Sequence, residues 1–193
     1  MTLTIRLARE SDAAQILAIY APIVSGTSIS FETEVPTETE MQERIRATGE
    51  FAPWLVCEEG GEVIGYAYAT RFRARAAYQW TVEVTVYVHS KRQRRGIARM
   101  LYARLIGLLC VQGFESAIAV IVLPNDPSVA LHEQLGFEKI GVLPATGFKL
   151  GAWHETGWWR LALGAARAPE APRTPRECAD DPRWIALLAA AHS

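Results

Sequence analysis

A short basic turn is the first feature of this sequence that could bind a ligand. Five Lys and Arg residues lie between positions 91 and 99, after an apolar strand pattern and before a periodic apolar helix, with Gly96 inside the turn. The N-terminus of a helix leaves backbone N–H groups unpaired and carries about half a positive charge, so it attracts anions. A glycine lets the backbone approach such a ligand closely. The turn is therefore a candidate phosphate site, with a solvated basic turn as the equally good alternative.

Other interpretations of the basic turn are less favoured. The sequence contains neither the Walker pattern G-x-x-x-x-G-K-[ST] nor the dinucleotide fingerprint G-x-G-x-x-G. Nucleic-acid binding would need several basic stretches, and one cluster in a chain with 20 basic and 21 acidic residues supports it poorly. No apolar run approaches the ~20 residues of a membrane helix. We therefore expect neither a nucleic acid nor a membrane as a partner.

Glu83 is a candidate for proton transfer. Valines alternate with Thr, Glu and Tyr in the run TVEVTVYV, a period of two that predicts a β-strand with Glu83 on its polar face. A carboxylate in that place can act as a general base. It can equally pair with one of the arginines at positions 71, 73 and 75, which shortly precede it.

His132 is the second candidate. Asn125, Ser128 and His132 are spaced i, i+3 and i+7, which places them on one face of a predicted helix that ends at Gly136. Imidazole titrates near neutral pH and can therefore serve as an acid or as a base. The alternatives are a histidine that is merely hydrogen-bonded at a helix surface, and an asparagine that only caps the helix.

Composition and charge are those of an ordinary globular protein. Of 193 residues, 50% are hydrophobic, and the net charge of −1 excludes general binding to polyanions. The three cysteines show no C-x-x-C spacing, and the N-terminal segment lacks an apolar signal-peptide core. We expect a cytoplasmic protein without a bound metal.

The elements that must position these residues follow a mixed α/β pattern. Hydrophobic periodicity predicts the order βααβββαβαββ, with a first helix that ends near Pro22 and a second that begins in a capping box of Thr37 and Glu40. Four prolines then fall in GAARAPEAPRTPRECADDP, and the short apolar segment PRWIALLAAA follows. We predict one domain at residues 1–163 and a Pro-rich extension at 164–193, whose helix docks on this domain or on a neighbour.

The basic turn also carries a family resemblance. The hexapeptide QRRGIA resembles the [QR]-x-x-G-x-[GA] motif of the GCN5-related N-acetyltransferases, the GNAT superfamily. The segments RARAAYQWTVEVTVYV, VIVLPNDPSVALHEQLGFEKIGVL and GFKLGAWHETGWWRL resemble its phosphinothricin and methionine sulfoximine acetyltransferase subfamily. The resemblance implies the acyl-CoA N-acyltransferase fold, a central twisted mixed sheet flanked by helices, which splays open around the cofactor.

The resemblance implies acetyl-CoA as the cosubstrate, with no metal. It places cofactor contacts in the strand, in the turn and in the following helix: Val86, Tyr87, Val88, Arg94, Arg95, Gly96, Ile97, Ala98, Arg99, Asn125 and Ser128. In the family, a bulge in the strand near the two valines frees a backbone N–H that polarises the thioester carbonyl.

The resemblance also implies roles for the acceptor site. Glu83 corresponds to a catalytic glutamate, and His132 lies where many members of the superfamily have a proton-donating tyrosine. The substrate residues it implies are Phe31, Arg73, Arg75 and Thr85. The acceptor would be a small amino acid such as phosphinothricin or methionine sulfoximine, and the enzyme a homodimer. A polyamine or peptide N-terminus as acceptor, and a CoA-binding regulator with weak catalysis, stay open as alternatives.

Overall fold

The computed structural model of the protein describes residues 3–164 and 170–190. Within those residues the strands are β1 (Leu3–Leu7), β2 (Trp54–Glu59), β3 (Glu62–Arg71), β4 (Thr81–Val88), β5 (Ser116–Leu123), β6 (Glu138–Lys149) and β7 (Ala152–Ala162). The helices are α1 (Ala13–Gly26), α2 (Glu38–Phe51), α3 (Ile97–Gln112), α4 (Asp126–Gln134) and α5 (Pro182–Ala189). The predicted order of elements is confirmed. Among these helices, none is long and apolar enough to cross a membrane.

The strands form one mixed sheet with a gap in its middle. Their order is β1-β2-β3-β4-β5-β7-β6, and β4 and β5 are the one parallel pair among the described strands. This pair is short, because its register ends where Glu83 lies opposite Ile118. Both strands continue beyond that point, so they diverge and open the sheet, as predicted.

Helices cover both faces of the sheet. Leu55 and Cys57 of β2 belong to the core cluster that packs under α3, whereas Trp54 and Val56 belong to the cluster that packs under α1 and α2. This alternation is the period of two that a strand buried on both faces must show. The two apolar clusters pack against opposite faces of β3 and β4. Glu83, a candidate catalytic residue, lies on β4.

The predicted end of α1 near Pro22 is wrong. The helix continues to Gly26 with Pro22 inside it, although a proline removes one helix hydrogen bond. Val24 is buried beyond the proline, and its packing outweighs the lost bond. The predicted capping box of α2 is confirmed: the Thr37 N–H donates to Glu40 Oε2 at 2.7 Å, and the Glu40 N–H donates to Thr37 Oγ1 at 3.2 Å.

The C-terminal segment packs against α3. Trp184 of α5 is only 3% exposed and belongs to the main core cluster. Gly107 of α3 leaves space for Leu187, since a Cβ there would stand 2.9 Å from Leu187 Cδ2. Ahead of α5, the indole N–H of Trp80 donates to the carbonyl of Glu170 at 2.7 Å. The apolar helix therefore docks on the domain itself.

Candidate active site

A cavity of about 280 Å³ lies where β4 and β5 diverge. Its walls come from both strands, from α3 and α4, and from the segment between α1 and α2. The predicted site residues that line it are Phe31, Glu83, Thr85, Val86, Tyr87, Asn125, Ser128 and His132. The fold thus brings the strand, the helix face and the distant Phe31 to one cleft.

Glu83 faces this cavity without a partner. In residues 3–164 and 170–190, no side chain hydrogen-bonds or ion-pairs with its carboxylate, so the alternative pairing with a nearby arginine is not formed. Arg71 instead places its guanidinium 4.2 Å from the centre of the Phe51 ring. Burial raises the pKa of the Glu83 carboxyl, and the charge of Arg73 offsets this only in part. A desolvated, unpaired carboxylate in a cleft is suited to accept a proton.

His132 is buried, not at a helix surface, and both ring nitrogens have partners. Its Nδ1 lies 2.7 Å from the carbonyl oxygen of Ser128, and its Nε2 lies 3.2 Å from the hydroxyl oxygen of Tyr102. A carbonyl can only accept, so Nδ1 carries a proton and Nε2 of the neutral ring accepts from the tyrosine. Burial lowers the pKa of His132, and the Ser128 carbonyl opposes this shift. The histidine is therefore held neutral.

Tyr102 was not predicted from the sequence as a site residue. It lies on α3, lines the cavity and is almost completely buried, and burial raises the pKa of its hydroxyl. Its ring meets that of His132 edge to face, with centroids 5.2 Å apart. The sequence signal for Tyr102 was a hydroxyl group on the apolar face of a predicted helix. Periodicity alone assigns such a residue to the core.

Asn125 caps α4, and both Asn125 and Ser128 line the cavity. Asn125 is the N-cap of α4, and its Oδ1 accepts from the Ser128 N–H at 3.3 Å. The cap fixes the start of the helix, and both side chains also line the cavity. The structure thus places them beside His132 on the α4 side of the cleft.

The inner edge of β4 offers backbone groups to the cleft. Beyond Glu83 the strand has no β5 neighbour in register, so its amides on that side are not used in sheet pairing. The expected bulge is wrong, because the β3–β4 register runs without a shift from Val82 to Val88. Strand divergence, not a bulge, frees these amides.

The basic turn lies at the N-terminus of α3. Gly96 is the N-cap with φ of +76°, and Arg94 also has a left-handed φ of +61°. Left-handed residues before a helix aim backbone N–H groups into a concavity that binds anions. A Cβ on Gly96 would meet no atom within 4 Å, so the backbone is open to a ligand there.

The side chains of the turn divide into two groups. Arg95 makes a bidentate ion pair with Glu59 of β2, at 2.7 and 3.0 Å. Ile97 is buried in the core. Their side chains are therefore engaged elsewhere, which leaves their backbone groups for a ligand. Arg94 and Arg99 are exposed.

Phe31 and Thr85 form part of the cavity wall. The two predicted arginines lie outside the cavity: Arg73 places its guanidinium 5.0 Å from the centre of the Phe72 ring, and Arg75 precedes a short turn of helix. Both are exposed in the segment before β4. Among the described residues, no cluster of His, Cys, Asp and Glu could hold a metal ion.

Comparison with known proteins agrees with this geometry. The family model described as "Acetyltransferase (GNAT) domain" matches residues 5–158. The chain is 43% identical to the phosphinothricin N-acetyltransferase of Streptomyces viridochromogenes, over 89% of this chain and 91% of that protein. It is 35% identical to the L-methionine sulfoximine/L-methionine sulfone acetyltransferase of Salmonella typhimurium, over 88% and 99%.

A solved structure matches the fold as well. The GNAT superfamily phosphinothricin acetyltransferase of Sinorhizobium meliloti, in complex with acetyl-CoA, is 38% identical and superposes with a TM-score of 0.85. The match covers 91% of this chain and 97% of that one. Since the family model and these relatives span most of the sequence, the chain belongs to the GNAT family of N-acetyltransferases.

Proposed function

We propose that the protein transfers the acetyl group of acetyl-CoA to the α-amino group of a small amino acid that resembles phosphinothricin or methionine sulfoximine. The unpaired Glu83 carboxylate, in the cleft where β4 and β5 part, carries this proposal. The names of the relatives support the choice of acceptor, since they act on phosphinothricin and on methionine sulfoximine or sulfone.

The residues present fit acetyl-CoA. Its pyrophosphate needs N–H donors and positive charge, which the open backbone at Gly96 and the exposed Arg94 and Arg99 supply. Its pantetheine arm is a narrow chain with amide groups, which the gap between β4 and β5 can take in, because the free β4 amides lie along it. Acetyl-CoA supplies the acetyl group as an activated thioester.

Glu83 acts as the general base in this proposal. The acceptor ammonium must lose a proton before its nitrogen can attack the thioester carbonyl. The raised pKa of Glu83 makes its carboxylate a stronger base than that of an exposed glutamate. Because Glu83 lines the cavity, it can take the proton of the ammonium directly or through one water. A backbone N–H of the free β4 edge stabilises the charge that develops on the carbonyl oxygen.

His132 and Tyr102 act on the leaving group, the thiolate of coenzyme A. The Tyr102 hydroxyl and the His132 ring form one hydrogen-bonded pair in the cleft, next to the position that the departing sulfur would take. A proton donor there converts the thiolate into a neutral leaving group. Before the transfer, the neutral His132 accepts the Tyr102 hydrogen bond and holds that hydroxyl in place. The Tyr102 O–H then turns to the sulfur, the S–H bond forms as the O–H bond breaks, and the tyrosinate regains a proton from water after CoA leaves.

Two arginines bind the carboxylate of the acceptor amino acid. Arg73 and Arg75 are exposed in the segment before β4, and the charge of Arg73 acts on Glu83 in the cleft. A guanidinium binds a carboxylate in bidentate fashion. Phe31 and Thr85 then enclose the rest of the amino acid. These two arginines also disfavour a polyamine, because like charges repel.

Thiol release from acetyl-CoA, measured against a panel of amines, tests the function. The panel contains phosphinothricin, methionine sulfoximine, methionine sulfone, ordinary amino acids, a polyamine and a peptide. We expect turnover with the first three and little with the polyamine or the peptide. Turnover with the polyamine or the peptide alone would overturn the acceptor assignment, and no turnover at all would overturn the catalytic one.

We propose that the active form is a homodimer that pairs through the outer face of β6 and β7. The β6–β7 hairpin, with its turn, exposes Ile140, Leu143, Phe148, Leu150 and Trp153, and the rings of Phe148 and Trp153 contact each other with centroids 5.5 Å apart. Adjacent exposed apolar side chains of this size mark an interaction surface, and identical subunits commonly pair about a two-fold axis. Light scattering should give the mass of two chains, and Trp153→Ser should shift the mass toward one chain.

The domain assignment at residues 1–163, with the extension at 164–193, is also our proposal. The match of the family model, which ends at residue 158, supports it. We place the protein in the cytoplasm, and the three free thiols of Cys57, Cys110 and Cys178 support a reducing compartment.

A further inference from the structure

Phe31 stands in a segment without regular secondary structure, yet its backbone is held in place. The Tyr20 hydroxyl hydrogen-bonds Ser30 Oγ at 2.7 Å. On the other side, Lys149 Nζ at the end of β6 donates to the Ser30 carbonyl at 2.6 Å, and both residues are buried. A charged group that donates to a buried carbonyl makes a strong hydrogen bond. The residue before Phe31 is therefore clamped between α1 and the β6–β7 hairpin.

The ring of Phe31 rests on that hairpin. A Cβ built on Gly147 of β6 would stand 2.6 Å from Phe31 Cζ and 2.8 Å from Cδ2, and closer still to Cε2. Directly across the ladder from Gly147 is His154, whose ring centroid lies 6.3 Å from that of Phe31. The missing side chain at position 147 thus provides the space in which the ring lies.

We infer that Gly147 is a specificity-determining position, which sets the acceptor side of the cleft by the place it gives to the Phe31 ring. This inference rests on the proposed acetyl transfer. Phe31 lines the cavity and Gly147 does not, so the ring separates the strand from the acceptor. A methyl group at position 147 must displace the ring, because the segment behind it is clamped through Ser30.

The displacement should leave the fold intact. The atoms that an added Cβ would meet belong to the far end of one side chain, not to the backbone. Phe31 is 37% exposed, so its ring can move without opening the core. The effect of Gly147→Ala should therefore appear in acceptor binding and not in the melting temperature.

Gly141 provides a matched control on the same strand. A Cβ on Gly141 would meet no atom within 4 Å, so Gly141→Ala makes the same chemical change in β6 without touching Phe31. Both variants replace one glycine by alanine, so they lower the conformational entropy of the unfolded chain by a similar amount. Any difference between them reports the contact with the ring.

The experiment measures kcat and KM for acceptor and acetyl-CoA in the parent, Gly147→Ala, Gly141→Ala, Phe31→Ala and the double variant Gly147→Ala/Phe31→Ala. Gly147→Ala should lower kcat/KM for the acceptor about tenfold, with larger acceptors affected most, since overpacking displaces a wall of the site. The KM for acetyl-CoA should stay within about twofold of the parent. In the Phe31→Ala background, the same substitution should have little further effect, because coupled residues are not additive.

Three results would overturn the inference: Gly147→Ala kinetics equal to those of Gly141→Ala, the same loss with and without the Phe31 ring, or a matching rise in the KM for acetyl-CoA. Failure of the proposed function would look different. If the parent acetylated only a polyamine or a peptide, the acceptor assignment would fall, whereas the coupling between positions 147 and 31 would still be measured with that amine.

Discussion

The Nε2 atom of His132 lies 3.2 Å from the hydroxyl oxygen of Tyr102, in residues that are 30 positions apart. The Nδ1–H of the ring donates to the Ser128 carbonyl, so the tyrosine must donate to Nε2. In the proposed reaction the proton donor is consequently the Tyr102 hydroxyl, which His132 holds in place, and not the histidine itself. Loss of the hydroxyl or of the imidazole removes this hydrogen bond.

Tyr102→Phe should therefore lower kcat about a hundredfold, the loss typical of one proton-transfer group. The KM for acetyl-CoA should change little, because the phenyl ring preserves the packing. Steady-state kinetics measure both parameters. Tyr66→Phe is the matched control, since Tyr66 is also buried but does not line the active cavity, and it should keep the parent kcat. Equal kcat values in the two variants would contradict the role of the pair.

Glu83→Gln should lower kcat by about 10²- to 10⁴-fold, because the amide cannot accept the proton of the acceptor. In the parent, kcat/KM should fall as the pH drops through the raised pKa of Glu83, where the carboxylate becomes protonated. Glu138→Gln, at an exposed position of β6, should behave like the parent. A variant with parent-like activity across the pH range would remove Glu83 as the base.

The same substitution should affect stability in a pH-dependent way. A raised pKa in the folded state means that the folded protein favours the protonated form, so the parent loses stability as the pH rises through that pKa. Below the ordinary glutamate pKa of about 4.3, parent and Glu83→Gln should unfold alike. Near neutral pH the variant should melt at the higher temperature. Melting curves at several pH values measure this, and a lower melting temperature at neutral pH would be inconsistent with an unpaired buried carboxylate.

Glu59 should act on cofactor binding through Arg95. Glu59→Gln removes the charge that holds the Arg95 guanidinium, so the basic turn loses its anchor on β2. We expect a several-fold rise in the KM for acetyl-CoA, with kcat close to that of the parent. The reversed pair Glu59→Arg/Arg95→Glu should recover part of the loss. A rise in KM that the reversal leaves unchanged would show that the ion pair does not position the turn.

The docked C-terminal helix should contribute to global stability. Trp184 is 3% exposed, and its neighbour Ile185 in the same helix is 51% exposed. Trp184→Ala should destabilise the protein by about 3–5 kcal/mol, and Ile185→Ala by well under half of that. Denaturant unfolding measures both, and a single transition is expected, since Trp184 belongs to the main core cluster. Equal and small losses would mean that the helix is not docked.

Local pattern was enough to predict the elements of this protein. Strand alternation, helix periodicity and the capping box of Thr37 and Glu40 depend on neighbours a few residues away, and the sequence displays those neighbours directly. Local pattern also predicted wrongly that α1 ends near Pro22. The packing of Val24 against other elements keeps the helix intact beyond the proline.

The environment of each site residue came from contacts between distant segments. The sequence presents Glu83 on the polar face of a strand, but whether it pairs with an arginine depends on how the segment before β4 folds, and in the structure it stays unpaired. The partners of His132, Arg95 and Ser30 lie 30, 36 and 119 positions away. Burial and pairing are properties of the assembled sheet and helices, and no periodicity along the chain encodes them.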